Sequence, residues 1–129
     1  MNKIKRWLRK KYVMWKYNHN WNTGKVVVLK EHDKRYGLTK MMLADCFAND
    51  CALFLPYELD KIYLFPSADD REKYGKYLLS KMDIKMGACN GRELAGVITD
   101  NHCTYEDIKF LHDNNIEIVN GFVYMDIAA

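Results

Sequence analysis

The sequence predicts an α/β protein: three layers, a mostly parallel sheet of about four to five strands with helices on both faces, preceded by a basic amphipathic N-terminal helix. Three observations lead there. Short continuous apolar runs, such as "VVVL" at 26–29 and "CALFL" at 51–55, have the length of strands buried on both faces. Longer stretches between them carry apolar residues at helical spacing. The two patterns alternate along the chain, which is the signature of parallel strands joined by right-handed helical crossovers.

The elements follow in order. Residues 3–17 place Ile4, Trp7, Leu8, Tyr12 and Trp15 at helical spacing, with the basic residues mostly on the other faces. "NHNWNTG" at 18–24 breaks that pattern, with Gly24 as its stop, and divides a helical arm and linker (1–22) from an α/β domain (23–129). "KVVVL" is the first strand. Residues 37–49 form a helix whose Leu38, Met41, Met42 and Cys46 make one face largely apolar. "CALFL" is the second strand, and "KIYLF" at 61–65 a third, ended by Pro66. Ser67, with Asp70 three residues on, resembles a capping box and opens a helix that runs to about Met82. "MGACNGREL" reads as a loop, and "AGVITD" at 95–100 as a short buried strand ending in an acid. Thr104 caps a helix through about His112, with Glu106 and Asp107 in its first turn. "NN" at 114–115 stops it, and "IEIVNGFVYM" supplies the last strand.

A chain of 129 residues with 49% hydrophobic and 29% charged residues has the size and composition of one folded domain. No apolar run approaches the ~20 residues of a membrane-spanning helix. The basic N-terminus is not followed by an apolar stretch and a cleavage site, so a cytoplasmic protein is expected, in the host cytoplasm if it is viral. Cys46, Cys51, Cys89 and Cys103 are then expected as reduced thiols. Together with His102 they lack the paired tight spacing of a zinc site. His102 next to Cys103 does not by itself make a nucleophilic constellation.

The net charge of +3 conceals an asymmetry. Residues 1–25 carry Lys3, Lys5, Arg6, Arg9, Lys10, Lys11, Lys16 and Lys25 and no acid, while the rest of the chain holds 12 basic and 17 acidic residues. A basic arm on an acidic body suggests an arm that meets polyanions or folds back on its own body. Lys5, Arg6, Arg9, Lys10 and Lys16 are placed to neutralise phosphates, with Trp7, Tyr12, Trp15 and Trp21 available to stack. Two other readings stand beside nucleic-acid binding. Trp7, Leu8, Tyr12 and Trp15 can dock on the body as one more core helix, or the helix can lie on an anionic membrane surface.

In "VVVLKEHDKRYGLTKMML", at 26–43, an apolar strand enters a polar loop, and Gly37 and Thr39 then open a helix. "GVITDNH" is a strand of apolar residues ending in Asp100, and "DIKFLHDNNIEIVNGFVYMD" is a helix followed by another strand. In that order the three segments resemble a P-loop NTPase core of the thymidine-kinase or RecA-like branch, with an eroded Walker A loop. The resemblance implies a phosphate-binding loop of the form GxxxxGK[ST], whose lysine reaches the β/γ-phosphates and whose hydroxyl holds Mg²⁺ with the Walker B aspartate. His32 stands in place of the first glycine and Leu38 in place of the lysine, whereas Gly37, Thr39 and Asp100 match. Lys34, Arg35 and Lys40 are the cations that can substitute.

Two functions are therefore expected. The first is a non-catalytic P-loop-like binding module, an accessory protein of a phage or mobile element, that engages nucleic acid or a protein partner through its arm and needs no cofactor. The second is a minimal Mg-nucleotide-dependent phosphotransferase or NTPase, with Thr39 and Asp100 on Mg²⁺ and Lys34, Arg35 or Lys40 on phosphate. Either can act as an oligomer or as one subunit of a larger assembly.

Overall fold

The computed structural model describes residues 2–30, 33, 36–87 and 96–125. Helix α1 (Lys3–His19) leads into β1 (Val27–Leu29), α2 (Leu38–Asn49) and β2 (Ala52–Phe54). Helices α3 (Glu58–Leu64) and α4 (Ala68–Tyr74) and a 3₁₀ turn (Gly75–Tyr77) precede β3 (Leu78–Leu79). The chain continues through α5 (Lys81–Lys85), β4 (Val97–Thr99), α6 (Tyr105–Asp113) and β5 (Ile118–Tyr124). The five strands form one sheet in the order β1-β5-β4-β2-β3, and every pairing is parallel. This is the predicted three-layer α/β class.

Side chains alternate across the sheet, as the strand period of two requires. Leu53, Leu78 and Ile98 face a core shared with Val13 and Tyr17 of α1 and Leu38, Met42 and Cys46 of α2. Their neighbours Ala52, Phe54, Leu79 and Val97 face a second core with Ile84 of α5 and Leu111 of α6. Helices thus cover both faces. Among the described residues, no helix is long and apolar enough to cross a membrane.

Two expectations fail between residues 58 and 82. "KIYLF" is not a strand; it is the body of α3 and the residue after it. Glu58 and Asp60 supply acid to the first turn, and Asp60 Oδ2 accepts the Tyr57 N–H at 3.2 Å, so the segment starts as a helix, and Ile62 and Tyr63 stay exposed. The third strand is instead the buried pair Leu78–Leu79, inside the stretch expected to be one helix from Ser67 to Met82. That helix ends at Tyr74, and Ser67 makes no side-chain cap bond. The reciprocal cap occurs at the second S-x-x-D in the sequence. There Ser80 Oγ accepts the Asp83 N–H at 3.2 Å, and Asp83 Oδ2 accepts the Ser80 N–H at 2.9 Å. Asp83 also pairs with Lys61 and Ser80 bonds Glu58, tying α5 to α3.

β5 departs from regular pairing where it meets β4. Val97 faces Ile118 but Ile98 faces Asn120, so one extra residue bulges out of β5. The buried Asn120 then donates from Nδ2 to the Tyr17 carbonyl at 2.9 Å, while its Oδ1 accepts the Gly121 N–H at 2.9 Å. The irregular strand therefore anchors the C-terminal end of α1.

Candidate functional site

Ligands of open parallel sheets bind outside the carboxyl ends of the strands. Here β1, β5, β4 and β2 end around the start of α2 in two adjoining cavities of about 500 and 650 Å³. Gly37, Thr39 and His102 line both. Asp33, Asn101 and Tyr124 add to the smaller, and Lys40, Asp60, Tyr63 and Asp100 to the larger. Four residues expected around a phosphate, namely Gly37, Thr39, Lys40 and Asp100, thus line one cavity. His32, Lys34 and Arg35 lie outside the described residues, as does Cys89.

Asp100 is buried at the end of β4, and its N–H reaches the Phe54 carbonyl at 3.3 Å. One carboxylate oxygen lies 3.5 Å from Thr39 Oγ1, the long limit of a hydrogen bond, and the other lies 3.1 Å from His102 Nδ1. The imidazole is oriented by that carboxylate, while its side chain is 72% exposed. Thr39 and Asp100 offer the hard oxygen donors that suit Mg²⁺.

The phosphate side of the resemblance is built differently. Gly37 has a φ of +72° and turns the chain into α2. The next residue, Leu38, at the lysine position, points into the core beside Met42 and Cys46 and is 2% exposed. Leu38 borders the smaller cavity, but a side chain leaving the backbone in that direction packs among apolar residues. Upstream, the loop buries a carboxylate. Asp33 accepts Arg9 Nε and Nη2 at 3.0 and 2.9 Å, the Lys30 N–H at 2.8 Å and the Tyr36 hydroxyl at 3.0 Å. Burial alone would raise its pKa; the hydrogen bonds from Arg9, Lys30 and Tyr36 and the charge of Arg9 outweigh that and hold it below the usual carboxylate range. A backbone N–H and a guanidinium that an anion would use are thus committed to an internal acid.

No family model, curated protein or solved structure matches the chain.

The second candidate surface is α1. Of the three readings of this helix, docking on the body occurs, but not through Trp7, Leu8, Tyr12 and Trp15: all four are about half exposed, and Ile4 is more so. The helix docks through Val13 and Tyr17. The Tyr17 ring stacks on Phe122 with centroids 5.2 Å apart, and its hydroxyl donates to Asp45 at 2.8 Å. Arg9 grips Asp33, and Arg6 lies over the Tyr36 ring at 4.9 Å. Buried polar partners select this face over the more apolar one. Arg6 and Arg9, expected among the nucleic-acid contacts, are turned toward the body. Lys5, Lys10, Trp15 and Lys16 are exposed.

Among the described residues the thiols are buried and not activated. Cys46, Cys51 and Cys103 are free and buried, and burial pushes all three pKa values up, away from reactive thiolates. Among the described residues no group of three or more His, Cys, Asp or Glu gathers to hold a metal ion.

Proposed function

We propose that the chain is a non-catalytic binding module on a P-loop-like frame, engaging an anionic partner through the outward face of α1. The observation that supports this reading is the way α1 is held. One face is fixed by Val13, Tyr17 and Arg9, while Lys5, Lys10 and Lys16 stand in solvent beside Trp7, Tyr12 and Trp15. A rigidly mounted cationic and aromatic surface needs little ordering to bind a polyanion.

The test is association of the full chain with an immobilised polyanion across a salt series. Binding is expected to weaken steeply with salt, and each lysine lost from the Lys5→Gln, Lys10→Gln, Lys16→Gln variant should flatten the log–log slope by about 0.7–0.9. A salt-independent interaction, or none, sinks the reading.

The nucleotide-dependent enzyme is the competing proposal, and the contact between Thr39 and Asp100 is what favours it. Leu38 in the core and Asp33 in the loop oppose it. Thermal shift with Mg·ATP and Mg·GTP separates the two. A ligand at 100 times its Kd adds about 2.7 kcal/mol, and we expect no shift in the native chain or in Thr39→Ala. A shift abolished by Thr39→Ala would move the reading to the enzyme.

A further inference from the structure

We propose that α1 lies in the headgroup region of an anionic lipid bilayer, with its aromatic stripe inserted and its lysines on phosphate. The inference rests on the reading of α1 as the binding face and names the partner of that face.

At about 100° per residue, Ile4, Leu8 and Trp15 sit about 140–180° around the helix from the docked Val13 and Tyr17. They form the line of α1 farthest from the body. Trp7 and Tyr12 lie at the two margins of that line. Lys5 and Lys16 flank it on one side and Lys3 on the other, with Lys11 between Trp7 and Ile4, while Lys10 lies about 140° from its centre, next to Tyr17. Ile4, Trp7, Leu8, Tyr12 and Trp15 are 72, 58, 55, 47 and 53% exposed, so the described residues leave the stripe uncovered.

This order, apolar at the centre and cationic on both sides, fits a lipid surface better than a nucleic acid. In a bilayer the outermost residues enter the acyl boundary, Trp and Tyr prefer the interface, and lysines reach back along their stems to the headgroups. On a nucleic acid the outermost line would meet phosphate first, and Ile4 and Leu8 would have nothing to bury against. A second copy docked stripe to stripe would bring together two helices with seven lysines and arginines and no acid each. The 17-residue helix, at 1.5 Å per residue about 26 Å long, lies along the surface with the acidic body above it. That body is repelled by anionic lipid, which favours this one orientation.

The experiment is co-flotation of the full chain with vesicles of phosphatidylcholine alone and of phosphatidylcholine with phosphatidylglycerol, read beside tryptophan quenching by lipids brominated in the acyl chain. We expect binding to the anionic vesicles only, with quenching, and a loss of about fivefold for each of Lys3, Lys5 and Lys16 changed to glutamine. Leu8→Gln with Trp15→Gln should weaken binding and lower the quenching, leaving that of Trp7 in whatever remains bound; both residues are exposed, and an unchanged circular dichroism spectrum would confirm that the fold persists. Equal binding to both vesicle types, or binding without acyl-chain quenching, overturns the proposal. Binding to oligonucleotides but not to vesicles overturns it and leaves the binding-module reading standing. Binding to neither vesicles nor any polyanion removes both.

Discussion

Gly121→Ala should unfold the domain or bring it close to unfolding, the largest effect expected of a one-methyl change here. Gly121 has a φ of +132°, and it faces Thr99 across the β4–β5 pairing. A Cβ there would lie 2.6 Å from the Thr99 carbonyl oxygen, and nearer still to its amide nitrogen and hydroxyl. Thr99 cannot retreat, because β4 is paired on its other side with β2, and Thr99 Oγ1 donates to the Phe122 carbonyl at 2.8 Å. Backbone strain costs ~1–3 kcal/mol and overpacking another ~1–3 kcal/mol, against a whole-domain stability of ~5–15 kcal/mol. Urea denaturation should show a loss of at least about 3 kcal/mol. Gly24→Ala is the control: its φ is +76°, but a Cβ meets nothing within 4 Å. It should cost only about 1 kcal/mol. Equal losses in the two variants would mean that the crowding at Thr99 is relieved by a shift the static geometry does not contain. The same clash bears on the site, since Thr99 immediately precedes Asp100.

Why the sequence reveals Gly121 only as a glycine in a strand, and not as a close approach, is a matter of range. β1, β2, β4 and β5 are legible because "VVVL", "CALFL", "GVIT" and "IEIV" are short, largely apolar runs of strand length. β3 is not, because two leucines give no period. α3 misleads because a short apolar run does not distinguish strand from helix. Two S-x-x-D signatures compete, at Ser67 and Ser80, and no local rule ranks them. The crevice is half legible. The strand–loop–helix pattern locates Gly37, Thr39 and Lys40, and the acid ending a strand locates Asp100. Asp33 escapes, because an acid in a polar loop reads as solvated until its partner 24 residues away is known. The docked face of α1 escapes for the same reason. Its deciding partners, Asp33, Asp45 and Asn120, lie 24, 28 and 103 residues from Arg9, Tyr17 and Tyr17 respectively.

Arg9→Ala should cost about 3 kcal/mol near neutral pH, toward the low end for a broken buried ion pair because the arginine side chain is 21% exposed. The loss comes less from the missing attraction than from what remains: a carboxylate with 0% side-chain exposure that has lost its guanidinium, with the Lys30 N–H and the Tyr36 hydroxyl still donating to it. Three consequences follow. In the native chain Asp33 is held below its usual range, so its contribution is present above the ordinary carboxylate pKa of ~3.9 and is lost as pH falls through the depressed value. Without Arg9, burial dominates and the same pKa rises, so ionisation in the variant destabilises it as pH rises. The gap between native and Arg9→Ala should therefore be wide at neutral pH and close on acidification. Adding Asp33→Asn to Arg9→Ala should recover stability at neutral pH, since it removes the stranded charge and keeps an acceptor for Lys30 and Tyr36. Denaturation curves at neutral and acid pH for the single and double variants measure all of this. A penalty independent of pH, or a double variant no better than Arg9→Ala, would mean that the guanidinium acts by packing alone. Val13 and Tyr17 stay in the core whichever holds, so α1 keeps its docked face in the variant, and salt-dependent binding through its lysines should persist. Loss of that binding in Arg9→Ala would make the ion pair, and not the apolar contacts, the mount that presents the outward face.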